Sequence, residues 1–177
     1  MSEARGFSEV LVKSSVSYPI LTAEVRFEQD IVQLRQKARQ IAPGLGFDSQ
    51  AQTRIATAVS EIARNAFKYA GGGKVEFIVE GESPQIFRTR ISDTGPGIAD
   101  LPAVLSPNFR SQTGGGRGLA AAKRLMHEVE IDSAPDRGTA VQLIKHFSKQ
   151  MPALSAIELN QLVDKLTRQI PDPYVEI

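Results

Sequence analysis

Glu61 and Asn65 stand one helical turn apart in the stretch EIARNAFKYA, residues 61–70. Asparagine is a mediocre helix former that favours caps and turns. Inside an otherwise well-patterned helix it needs a reason. On a helical wheel the segment buries an arc centred on Ile55, Val59, Ile62 and Ala66. Glu61 and Asn65 fall together at one border of that arc, with Arg64 and Lys68 further toward solvent. Two polar oxygens at the edge of a packed face can reach one ligand across a cleft. The ExxxN spacing alone fits a wetted helix edge equally well.

A second group follows at the end of Phe87-Arg88-Thr89-Arg90-Ile91-Ser92-Asp93. Strand alternation puts Asp93 on the side of Phe87, Thr89 and Ile91, away from the two arginines. A carboxylate on that core face is costly unless a donor meets it, and an amino group on a heterocycle is such a donor. Gly95-Pro96-Gly97 comes next, where missing Cβ atoms let backbone approach a flat ligand. The third group, Thr113-Gly114-Gly115-Gly116-Arg117-Gly118-Leu119, runs into a helix N-terminus, where free N–H groups and the helix dipole favour phosphate. It lacks the Lys-Ser/Thr of a P-loop, and Leu119 breaks a G-x-G-x-x-G pattern.

The elements that must position these groups follow from periodicity. Residues 1–15 read as a loose polar arm, and Val16 to Phe27 as a strand. Glu28 to about Ala42 has helical spacing (Ile31, Leu34, Ala38, Ile41) and is ended by Pro43-Gly44. Asp48 is the N-cap of a second helix that runs to Ala70 and is closed by three glycines. Lys74 to Glu80 and Gln85 to Asp93 form a hairpin. Gly95 to Gly118 is a long glycine-rich stretch without periodicity, of the length expected for a functional lid or a disordered segment. Leu119 to Val129 reads as a helix, and Glu130–Asp132 and Thr139 to Phe147 as closing strands. Ser155-Ala156-Ile157-Glu158 is a capping box opening an amphipathic helix through about Ile170. Strands joined directly to one another imply a largely antiparallel sheet with helices on one face.

Bulk composition narrows the function classes. The 177 residues suit one compact domain. A net charge of +1 argues against a nucleic-acid binder. The absence of cysteine excludes disulfides and thiolate metal sites and fits a reducing compartment. No run of about 18 apolar residues occurs, nor a signal-peptide pattern, so the expected location is cytoplasmic and no membrane partner is implied.

Taken in order, ExxxN, DxGxG and a glycine run at a helix start resemble the boxes of the GHKL ATPase superfamily, with Gly138-Thr139 in place of its final Gly-Thr. The stretches DIVQLRQKARQIAPGLGF, TAVSEIARNAFKYAGGGKV, DTGPGI and GRGLAAAKRLMHEVEI are similar to the small RsbT-like switch serine kinases of bacterial partner-switching pathways. The resemblance covers roughly residues 20–147. It implies the Bergerat fold, an α/β (α+β) two-layer sandwich with a mixed, mostly antiparallel sheet, in a kinase domain over residues 16–150. Residues 151–177 form an extension that either docks as an ordinary C-terminal helix or leads into a linker.

By the same resemblance the cofactors are ATP and Mg²⁺. Asp93 accepts from the adenine amine, Gly95, Gly97 and Thr139 line the base, and Gly114, Gly116 and Gly118 cradle phosphates. Asn65 holds the metal, and Glu61 is the catalytic base for a serine hydroxyl. Arg117, between two of the glycines, either adds charge there or faces solvent. The implied function is serine protein kinase activity in stress-response signalling, with a STAS-domain antagonist as protein substrate. The resemblance leaves room for a homodimer and for a downstream phosphatase or sigma-factor regulator. Two rival readings are an anti-sigma binding module and the N-terminal nucleotide-binding regulatory module of a larger sensor kinase. A histidine-kinase catalytic domain lacks its acceptor here, because His127 and His146 fall within the ATPase core.

Overall fold

A computed structural model describes residues 16–106 and 117–169. Residues 1–15, 107–116 and 170–177 lie outside the described residues, and with them the expected arm, much of the expected lid and the expected end of the last helix at Ile170.

Strand β1 (Ser17–Val25) leads into helix α1 (Glu28–Gly44) and helix α2 (Ser49–Ala70). The hairpin β2 (Gly73–Glu80) and β3 (Ile86–Asp93) follows, then a single turn α3 (Leu101–Val104) and helix α4 (Arg117–Leu125). Strands β4 (Glu128–Ser133) and β5 (Thr139–His146) close the sheet, and α5 (Ala156–Gln169) ends the described chain. The five strands lie in the order β1-β2-β3-β5-β4. All four described pairings are antiparallel, so the sheet shows no mixed pairing.

One sheet face carries the core. Val75, Phe77, Val79, Phe87, Ile91 and Leu143 alternate inward and are buried, with the Phe77 and Phe87 rings stacked at 6.0 Å between centroids. Against this face α2 lays Ile55, Val59, Ile62 and Ala66, all buried as the wheel requires. The other face is mostly polar, although Ile144 is buried on it. There Arg88 bonds Glu80 at 2.9 Å and Gln142 at 2.7 Å, so its guanidinium is satisfied at the sheet surface.

Local signals hold at most helix ends. Asp48 Oδ1 accepts from Ala51 N at 2.8 Å, and Gly71 closes α2 in the left-handed region at φ 77°. The Ser155–Glu158 capping box forms in both directions. Several boundaries differ. Helix α1 continues through Pro43 to Gly44, because Leu45 N still reaches the Ile41 carbonyl at 3.1 Å. The stretch after Gly95 holds the α3 turn, started by Asp100 Oδ1 accepting from Ala103 N. Helix α4 stops at Leu125 rather than Val129, since Val129 pairs with Leu143 in the β4–β5 ladder. Strand pairing outweighs a helical apolar spacing there.

Helix α5 packs on β1 and α1. Leu159 and Leu166 are buried in the common core. The segment before it is held by Gln85, whose amide oxygen accepts from Leu154 N at 2.7 Å while its nitrogen donates to Leu154 O at 2.8 Å.

Candidate nucleotide-binding site

Three neighbouring strands deliver the polar end of the site in one row. Asp93, the last residue of β3, is the register partner of Thr139 on β5, which in turn faces Ser133 on β4. Asp93 Oδ1 accepts from Gly95 N at 3.0 Å and from Thr139 N at 3.3 Å. Its second oxygen has no hydrogen-bond partner among the described residues. The carboxylate is thus anchored by one oxygen and presents the other.

Ser133 Oγ donates to the Gly138 carbonyl at 3.1 Å and accepts from Ile98 N at 2.8 Å. It also lies 2.8 Å from Thr139 Oγ1. With its own proton on Gly138, Ser133 takes the Thr139 proton, which leaves Thr139 Oγ1 as an acceptor. The loop after β3 is tied down a second time by Asp136 N bonding Pro96 O at 2.7 Å.

These groups open on a cavity of about 250 Å³ between α2 and the sheet. Ile62, Ala66, Ile91, Leu119 and Val141 make its walls largely apolar. Asn65, Tyr69 and Ala70 line it from α2, and Val104 from α3. The volume lies just below the ~300–1,000 Å³ of whole small-molecule sites. Apolar walls and one free carboxylate oxygen suit a flat heterocycle that carries an amino group.

The structure places the sequence-expected residues unevenly. Asp93, Gly97, Thr139 and Asn65 line the cavity. Gly118 stands against Asn65, where an added Cβ would lie 3.1 Å from the amide nitrogen. The metal-ligand candidate therefore meets the start of α4. Glu61 does not line the cavity. It sits one turn further along α2, about 6 Å by helical rise, and pairs with Arg64 at 2.8 Å. That pair is solvent-accessible at both ends, and exposed pairs contribute about 0–1 kcal/mol, too little to lock Glu61 away from a substrate. Gly114 and Gly116 lie outside the described residues, as does the side chain of Arg117.

The two glycines after Asp93 are also required by the protein's own packing. A Cβ on Gly95 would lie 2.5 Å from Ala70 Cβ, so its small size lets the loop pack on the end of α2. Gly97 has φ +73°, and a Cβ there would collide with the Ala134 carbonyl oxygen. Both make room for the protein's own chain, and the cavity shape follows. Sequence reasoning missed Ser133 and Tyr69, and no spacing pointed to Ser133. Tyr69 follows Asn65 by one turn, the only local hint of its place.

Comparison with known proteins assigns the chain to a family. The family model described as the histidine kinase-like ATPase domain matches residues 25–145. The chain belongs to that family. The GHKL-type resemblance and the fold class it implies are thereby borne out. The serine/threonine-protein kinase RsbT of Bacillus subtilis (strain 168) is 41% identical over 119 residues, covering 67% of this chain and 90% of the relative. An anti-sigma F factor of Bacillus licheniformis is 36% identical over 104 residues, 55% of this chain and 70% of the relative. The anti-sigma F factor of Bacillus subtilis (strain 168) matches to the same extent. Among the described residues no helix is long and apolar enough to cross a membrane.

Proposed function

We propose that the chain is an ATP- and Mg²⁺-dependent protein-serine kinase of a bacterial partner-switching pathway. The observation that carries the reading is the singly anchored Asp93 at the end of an apolar slot bordered by Asn65. ATP supplies the transferable phosphoryl group. Asp93 accepts the base's amino hydrogen, while Thr139 Oγ1 adds a second acceptor beside it. Among the described residues no three His, Cys, Asp or Glu side chains gather into a metal site. Asn65 as a lone protein ligand suits Mg²⁺, which keeps waters and phosphate oxygens as its other ligands.

Glu61 acts as general base, taking the proton of a serine hydroxyl on the partner protein, with the Arg64 contact yielding when the substrate seats. The fold positions reactants, and little covalent chemistry is required of the protein. The partner is a STAS-domain antagonist, and a sigma-factor regulator or phosphatase acts downstream. Anti-sigma binding is a second activity on the same domain, favoured by the anti-sigma F factors among its relatives. The reading places the protein in the cytoplasm.

Side-by-side measurement of ATP affinity and serine phosphorylation on two variants tests this. Glu61→Gln keeps shape and loses the base, so ATP still binds while transfer falls by about 10²–10⁴-fold. Asn65→Ala lowers both Mg²⁺-dependent binding and turnover. Wild-type transfer by Glu61→Gln would leave the binding-module reading in front.

A further inference from the structure

A second cleft, of about 490 Å³, opens at the other end of α2. Arg54 and Asn65 are eleven positions apart on that helix, about 16 Å by helical rise, so it is separate from the nucleotide slot. Its polar lining includes Asp48, Arg54, His127, Lys145, His146 and Ser148.

Lys145 is the unexpected member. It continues the inward row of β5 directly after the buried apolar Val141 and Leu143, and it is only 7% exposed. A lysine that deep is rare unless paired. Its ammonium has three N–H groups, and one donates to the Leu125 carbonyl at 3.3 Å. No carboxylate pairs with it among the described residues. Arg54 likewise has no ion pair among the described residues. Asp48 is the one acid in the lining, and its Oδ1 is committed to capping α2.

The histidines add a donor. His127 Nδ1 accepts from His146 N at 2.8 Å, so the neutral ring carries its proton on Nε2, a donor. His146 itself is turned to Glu128 at 2.6 Å. The cleft therefore gathers a guanidinium, an ammonium and an imidazole N–H around one carboxylate whose Oδ1 is engaged in capping.

We propose that this cleft is a site for a phosphate-class oxyanion, either the free ion or a phosphate monoester on a small molecule. Planar guanidinium and compact ammonium together match a tetrahedral anion. The volume lies within the ~300–1,000 Å³ of small-molecule sites, so a carrier group has room. The electrostatics point the same way. Burial, then the neighbouring Arg54, hold the Lys145 pKa below its usual value, with Asp48 opposing. Burial, then Lys145 and His146, hold that of His127 down. A bound anion would relieve both.

His127 and His146 are the only histidines of the chain, so their ring resonances in NMR spectra of the full chain report on this cleft directly. Inorganic phosphate is titrated to about 10 mM, within the range of weak specific binding, against chloride of equal ionic strength. A second titration uses O-phosphoserine. The expected result is a saturable shift of the His127 ring with phosphate or phosphoserine but not chloride, weakened at least about tenfold in Arg54→Gln and in Lys145→Gln. Tighter binding of phosphoserine assigns the site to a monoester, and tighter binding of phosphate to the free ion. Arg54 is exposed, so its variant folds and keeps the test decisive if Lys145→Gln does not. ATP affinity should be unchanged in Arg54→Gln, which separates this result from any failure of the kinase reading. The absence of a saturable shift, or undiminished binding in Arg54→Gln, would overturn the proposal.

Discussion

Replacing Asp93 by asparagine puts the central contact of the site to a quantitative test. In the wild type one oxygen holds Gly95 N and Thr139 N at 3.0 and 3.3 Å, and the other faces the slot. Asparagine keeps one oxygen and replaces the other by a donor, so it can serve only one side. If the amide oxygen keeps the two N–H groups, its NH₂ meets the ligand's amino group. A hydrogen bond to a charged acceptor, about 1.5–3 kcal/mol, is then lost, and the ATP dissociation constant rises by roughly 10- to 150-fold. If the amide flips, the ligand contact survives but the Gly95 and Thr139 N–H groups lose their acceptor, at about 1–3 kcal/mol of stability each.

Calorimetric ATP titration paired with thermal unfolding distinguishes the two outcomes, since one lowers affinity and the other the melting temperature. The unflipped amide makes a further demand. Its NH₂ suits a purine carrying a carbonyl in place of the amine, so the ratio of ATP to ITP affinity should fall. A variant with unchanged ATP affinity, unchanged melting temperature and an unchanged ATP-to-ITP ratio would show that Asp93 does not read the base.

Three further outcomes are expected. Gly97→Ala forces φ +73° on a residue with a Cβ that collides with the Ala134 carbonyl; stability should fall by about 1–3 kcal/mol together with ATP affinity, and an unchanged urea midpoint would contradict this. Leu159→Ala, at a site 1% exposed under α5, should cost about 2–5 kcal/mol, whereas a loss near zero in chemical denaturation would mean that α5 is not part of the cooperative core. His127 should make the fold acid-sensitive: burial, Lys145 and His146 hold its ring below 6.5 against the pull of Glu128, so the unfolded chain binds a proton near pH 6.5 that the folded ring refuses until lower pH. That contribution to stability is complete above 6.5 and is lost as pH falls below it. Between about pH 7.5 and 5.5, His127→Asn, which keeps an oxygen for the His146 N–H and does not titrate, should lose less melting temperature than the wild type; equal losses would remove His127 as the cause.

Much of this protein was legible in short windows of sequence. Asp48 as a cap, the Ser155–Glu158 box, the Gly71 stop and the alternation from Phe87 to Asp93 depend on neighbours within a few residues, and all appear as read. The order of the three boxes was equally visible, because each is a local pattern of types. The limits appeared where a distant partner intervened. Val129 fits a helical spacing, yet Leu143 claims it for a strand. Gly95 and Gly97 looked shaped for a ligand alone, and only the packing showed that Ala70 and the Ala134 carbonyl also require them.

The tertiary structure alone decided which groups meet. Asp93 and Thr139 lie 46 positions apart, and only the β3–β5 register puts the Thr139 N–H on the carboxylate. Ser133 joined the site through the adjacent β4–β5 register, and Gln85 found Leu154 across 69 positions. Lys145 reads in sequence as an ordinary strand lysine. The inward side of β5, the end of α4 and the first turns of α2 together made it a buried cation beside Arg54 and His127. Periodicity is a property of one segment, so residue types along the chain could determine the elements and their faces. Register and docking are set by burial and backbone pairing between segments, so the contacts that make a site took form only when the sheet closed.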